Sequence, residues 1–102
     1  MDITITPTDA VITARITGPV TENDGEALKN AFDELLSASQ KQVDLDLSTV
    51  PILTSTGIGK LIVLFRKLKD QARELKIKAI HDNLYDMFAS INLDKMLKIE
   101  RN

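Results

Sequence analysis

The stretch Leu53-Thr54-Ser55-Thr56-Gly57-Ile58-Gly59-Lys60-Leu61 puts three hydroxyls, two glycines and a lysine at the start of an apolar-periodic run. Such a grouping can do two kinds of chemistry. It can cradle the phosphates of a nucleotide, or it can offer a hydroxyl at a helix N-terminus to a covalent phosphate. The nucleotide reading fails on residue types. A P-loop needs Gly-x4-Gly-Lys-Ser/Thr for phosphate cradling and for the magnesium ligand. Aligned on Gly59-Lys60, the first glycine position holds Thr54 and the hydroxyl position holds Leu61. A reading without function also exists, in which small residues turn the chain and a hydroxyl caps the helix.

Thr56 has a physical case as an acceptor. A phosphate there meets outward-pointing N–H groups and the positive end of the helix dipole, so it should not melt the helix. It would add about −1.5 to −2 charge to the surface. Ser55 is the rival acceptor. Gly57 and Gly59 are expected to permit close backbone approach. Further along the same helix, Ile62 and Val63 project beside Gly59 and Arg66, away from the core stripe. With Thr54, Ser55 and Gly57 they form a candidate partner-binding patch.

The remaining candidates are weaker. Asp44 and Asp46 share one strand face, but no nucleophile or metal partner accompanies them. Asp46 is expected to order the loop before Thr56, and Asp44 to be solvated. His81 reads as a turn residue. Phe32, Phe65 and Phe88 fall on helix core stripes, with no basic platform for nucleic acid.

Composition narrows the field further. The 102 residues make one domain, 1–102, with 43% hydrophobic and 27% charged residues. There are no cysteines, which removes disulfides, thiol catalysis and Cys-ligated metals. The single histidine removes a multi-histidine metal site. A net charge of −2 argues against general binding to nucleic acid or an anionic membrane. The longest apolar run, Leu61 to Phe65, is too short to insert in a bilayer. Residues 1–6 have neither a basic n-region nor an apolar h-region. The cytoplasm is therefore the expected compartment, with no catalytic residues, metal or cofactor.

The elements that must position these residues follow from periodicity. Residues 2–6 and 11–17 alternate around Pro7-Thr8-Asp9 and predict a hairpin. Thr21 to Asp24 predicts a helix start, followed by Ala27, Leu28, Ala31, Phe32, Leu35 and Leu36 at helical spacing. A third strand is expected at 43–47 and the strongest helix at 57–75. A fourth strand at 77–80 follows, then a helix capped by Asn83, then a short strand at 97–99. The order is β-β-α-β-α-β-α-β, an α/β fold with a mixed sheet. Because the strands alternate, the helices are expected mainly on one sheet face.

Two segments taken together carry a family resemblance. Val43-Asp44-Leu45-Asp46-Leu47-Ser48-Thr49-Val50, followed by Leu53-Thr54-Ser55-Thr56-Gly57-Ile58-Gly59, resembles the core signature of the STAS domain family. The best-known members are bacterial anti-sigma factor antagonists. Leu93 to Ile99 resembles the family's C-terminal part. The resemblance implies a STAS-type fold and a phosphorylation site at Thr56. It implies an anti-sigma factor with serine/threonine kinase activity as partner and a PP2C-type phosphatase that restores the hydroxyl. The unphosphorylated protein would bind the anti-sigma kinase and so regulate transcription. Where the family has an aspartate two residues before the phosphosite, this chain has Thr54. Where the family often has Gly-Glu-Leu-Asp before the first helix, it has Gly18-Pro19-Val20-Thr21. The alternative is a STAS scaffold subunit of a stressosome-like or lipid-transport complex that carries no phosphate.

Overall fold

The computed structural model describes residues 1–101. The hairpin forms as its alternation predicts, with β1 at Asp2–Pro7 and β2 at Val11–Thr17, antiparallel. A 3-10 turn at Glu22–Asp24 leads into α1, Gly25–Ser37. Then come β3 (Gln42–Thr49), α2 (Ser55–Asp70), β4 (Glu74–Ile80), α3 (Asp82–Ser90), α4 (Leu93–Met96) and β5 (Lys98–Ile99). The sheet runs in chain order, β1-β2-β3-β4-β5, and every pair after the first is parallel.

That sequential order decides the layering. Connections between parallel strands cross over right-handed as a rule, which in a sheet of this order puts successive helices on the same side. Burial agrees: Ile12, Ala14 and Ile16 on β2, Val43, Leu45 and Leu47 on β3, and Leu75, Ile77 and Ala79 on β4 are buried. All of these except Ala79 share one core with Leu28, Phe32 and Leu35 of α1, Leu61, Leu64 and Leu68 of α2, and Leu84 and Phe88 of α3. On the opposite face Thr4 is exposed, and Thr13 and Asp46 are half-buried. Asp44 departs from expectation. It is only 9% exposed, because β3 is the central strand and Thr13 and Lys76 stand opposite it. Its carboxylate accepts a hydrogen bond from Gln42 Nε2 at 2.7 Å.

Several boundaries differ from the sequence expectation. α2 starts at Ser55 because Thr54, in extended conformation, caps it and accepts the Gly57 N–H at 3.4 Å. It ends at Asp70, since Ala72 is left-handed at φ 57° and stops the helix. Leu75 matches both a helical stripe and a strand alternation, and the strand takes it, so β4 starts earlier than 77. The cap of α3 is His81, whose Nδ1 accepts the Asn83 N–H at 3.1 Å. Phe65 is half-buried at the edge of the core, with the Lys69 ammonium 6.0 Å from its ring centre. The single turn α4 follows Asn92, left-handed at φ 65°, and shortens the last strand to two residues.

Arg73 ties α1 to the start of β4. Its guanidinium donates to the carbonyls of Gln40 at 2.6 Å, Leu35 at 3.1 Å and Leu36 at 3.4 Å. Two of these carbonyls belong to the last turn of α1, where the Ala38 N–H at 3.3 Å already reaches Leu35 and Gln71 Nε2 at 3.4 Å reaches Leu36, so Arg73 adds a charged donor to each.

Candidate interaction site

The site is assembled where two chain crossings meet above the C-terminal end of β3. Val20 and Leu53 form an isolated parallel bridge. The Val20 N–H donates to the Ile52 carbonyl at 3.0 Å, and the Thr54 N–H to the Val20 carbonyl at 3.3 Å. This brings residues 20–24 alongside the first turn of α2. There the Asp24 carboxylate accepts the Thr21 N–H at 2.7 Å and the Thr21 hydroxyl at 3.0 Å. The Thr21 N–H is the chief cause holding the Asp24 carboxyl below its ordinary pKa. With Thr21 and Asp24 so engaged, Glu22 faces α2.

Thr56 is exposed, and its hydroxyl donates to Glu22 Oε2 at 3.0 Å. An acidic group therefore stands beside Thr56 although positions 21 and 54 are both threonine. Sequence reading misses Glu22, because the contact spans 34 residues and depends on the Val20–Leu53 bridge. Ser55 is also exposed. Thr54 is half-buried and serves as the cap.

The two glycines differ. Gly57 is buried, and a Cβ there would lie 2.6 Å from Leu53 Cδ1 and 3.0 Å from Leu53 Cγ. Its small size lets α2 sit down on the bridge. Gly59 is exposed, and a Cβ there would meet nothing within 4 Å. The close approach expected at both glycines is present only at Gly57.

Beside Thr56, α1 and α2 enclose an open groove of about 390 Å³. Phe32, Leu36, Gly59, Val63 and Leu64 supply its apolar lining, and Lys29, Lys60 and Lys67 supply positive charge. Asp33 also lines it, paired with Lys29 at 2.9 Å. That hydrogen bond is the main reason the Asp33 carboxyl is lowered and the Lys29 ammonium raised. Val63 is 48% exposed. Arg66 is exposed outside the groove, and Ile62 is half-buried against the core. Ile52, 60% exposed in the loop before α2, is a further apolar surface residue that periodicity does not mark.

Asp46 lies on the sheet face away from the helices. Its Oδ1 accepts the Ser48 hydroxyl at 2.7 Å and the Ser48 N–H at 3.0 Å. Burial works to raise this carboxyl, but the two Ser48 bonds, with Arg15 and Lys78, outweigh it and lower the pKa. Asp46 braces the end of β3 and does not reach the Thr56 loop. His81 is half-buried as the α3 cap. Among the described residues, no group of three or more His, Cys, Asp and Glu side chains could hold a metal ion. Among them, no helix is long and apolar enough to cross a membrane.

The chain matches the STAS domain over residues 2–102. It belongs to the STAS domain family. Solved structures share this fold at low sequence identity. An anti-sigma factor antagonist from Mycobacterium paratuberculosis is 21% identical with a TM-score of 0.84, over 96% of this chain and 83% of that one. The phosphorylated form of the Bacillus cell fate determinant SpoIIAA is 12% identical with a TM-score of 0.77, over 99% and 91%. A sulfate transporter family protein from Wolinella succinogenes is 21% identical with a TM-score of 0.75, over 87% and 75%. The STAS fold thus carries both the Glu22–Thr56 pair and the α1–α2 groove on its helical side.

Proposed function

We propose that this STAS domain is a phosphorylation-switched anti-sigma factor antagonist, acting in the cytoplasm as a binding protein and not as an enzyme. In its unphosphorylated form it docks on an anti-sigma factor with serine/threonine kinase activity. That kinase phosphorylates Thr56, and a PP2C-type phosphatase reverses the step. The observation that carries the reading is the exposed Thr56 hydroxyl at the α2 N-terminus, next to a groove with apolar lining and basic residues.

The physical consequences are local. A dianionic phosphate on Thr56 is favoured by the α2 dipole and by the free N–H groups of the first turn. It is repelled by Glu22, which now accepts the Thr56 hydroxyl. Phosphorylation would break that bond and place charge and bulk at the mouth of the groove, while α2 stays helical. A partner seated there would lose its fit without any unfolding.

The binding test uses the unphosphorylated protein and a candidate anti-sigma kinase in calorimetric titration. Thr56→Ala should bind as the wild type does. Thr56→Glu should bind more weakly and keep its circular dichroism spectrum. Equal affinity of both variants would overturn the switch. It would favour the second reading, a STAS scaffold subunit without phosphate, which Thr54 at the usual aspartate position supports.

A further inference from the structure

We propose that the free edge of β1 pairs antiparallel with β1 of a second copy of this chain, joining two sheets across a two-fold axis. β1 is an edge strand, and it pairs with β2 over six residues with no register shift. Edges are usually blunted by lysine, proline or a bulge. Here the only such residue is Pro7, at the far end of the strand.

The direction of the free groups follows from the hairpin. The Thr8 N–H donates to the Val11 carbonyl at 2.7 Å. Hydrogen-bonded positions alternate along an antiparallel pair. In the observed register, Thr6–Thr13, Thr4–Arg15 and Asp2–Thr17 are then the bonded pairs. Ile3 and Ile5 therefore turn both N–H and C=O outward, and Pro7 turns out a carbonyl alone. A two-fold register with Ile3 opposite Ile5 of the second copy satisfies all eight of these isoleucine groups through four hydrogen bonds. It needs no N–H from Pro7. Sliding one step toward Pro7 sets Ile3 opposite Pro7 and leaves the Ile3 carbonyls without a donor.

The side chains suit the same register. Ile3 and Ile5 are half-buried and line a groove of about 450 Å³ beside Ala27 and Ala31 of α1. Ala27 and Ala31 leave room for the second copy's isoleucines beside them, while Asp2 and α1's Asn30 and Glu34 give the rest of the groove a polar lining. On the other face Thr4 meets Thr4. Asp2, the one charge on β1, faces Thr6, so no like charges are opposed. This groove lies on the other side of α1 from Thr56, so both switch sites stay open. Six residues bury less than a standard interface of roughly 1,200–2,000 Å². The dimer is accordingly weak and concentration-dependent.

The chain has no cysteine, so single thiols report the register. Thr4 sits on the axis at a non-bonded position, where Cα atoms approach to roughly 4.5 Å, within disulfide reach. Under a mild oxidant, Thr4→Cys should form a covalent dimer. Asp2→Cys and Thr6→Cys should crosslink only when mixed. Sedimentation should show reversible dimerisation of the wild type, weakened several-fold by Thr4→Lys. A wild type that stays monomeric at high concentration overturns the proposal. So does a folded Thr4→Cys that crosslinks no faster than Asp2→Cys alone.

Discussion

At the scale of single residues, the two glycines of α2 make opposite predictions. Gly57→Ala drives a methyl into Leu53 beneath the first turn, where it would come within 2.6 Å. Overpacking of this kind costs about 1–3 kcal/mol, more than the helix propensity gained. Gly59→Ala enters open space and should stabilise by up to about 1 kcal/mol. Urea denaturation of the pair checks both signs. Asp46 supplies a pH test. Its pKa is lowered in the folded state from 3.8. Its contribution is therefore complete well above that value and is lost as pH falls through and below it. Asp46→Asn should be less stable than wild type at neutral pH, and the gap should close in acid. A gap that persists unchanged in acid would mean that Ser48 does not depend on the ionised carboxylate. Much of this residue chemistry was legible beforehand, since the hydroxyl–glycine run marks the helix start in any reading. Glu22 was not, because its 34-residue separation from Thr56 is bridged only by tertiary structure.

At the scale of elements, α2 divides its faces between fold and surface. Leu68 is fully buried and Val63 is 48% exposed. Leu68→Asp should unfold the domain by burying an uncompensated charge. Val63→Asp should leave the melting profile near wild type and weaken partner binding through the α1–α2 groove. A Val63→Asp variant that unfolds would place Val63 in the core instead. Arg73 holds a different joint, between the end of α1 and the start of β4. Arg73→Met should cost about 1.5–3 kcal/mol, because three carbonyls lose a charged donor and that of Gln40 loses the one side-chain donor it has among the described residues. Arg73→Lys should recover only part of that, since an ammonium cannot reproduce the planar fork. Element types were readable from alternation and helical spacing, which local sequence controls. Boundaries were less so. Leu75 satisfied two periodicities at once, and the left-handed turn at Ala72, a residue type that favours helix, carries no sequence signal. Arg73's reach back to α1 likewise exists only after the sheet has formed.

At the scale of the whole molecule, a sheet in chain order places every helix on one face and leaves the other polar. The hydroxyl-bearing start of α2, the Glu22 turn and the groove therefore gather on one side, and the free β1 edge lies beyond α1. The family motif, Asp46-Leu47-Ser48 followed by Thr56-Gly57-Ile58-Gly59, marks the fold and the start of α2, but Asp46 braces the strand end and the acid beside Thr56 is Glu22. The central claim is that the acceptor is Thr56. It is tested most directly by incubating the protein with its cognate anti-sigma kinase and ATP and mapping the product by mass spectrometry. One phosphate is expected, on Thr56, absent from Thr56→Ala and retained in Ser55→Ala. Phosphate on Ser55 alone, or no phosphate under conditions where the kinase is active, would contradict it.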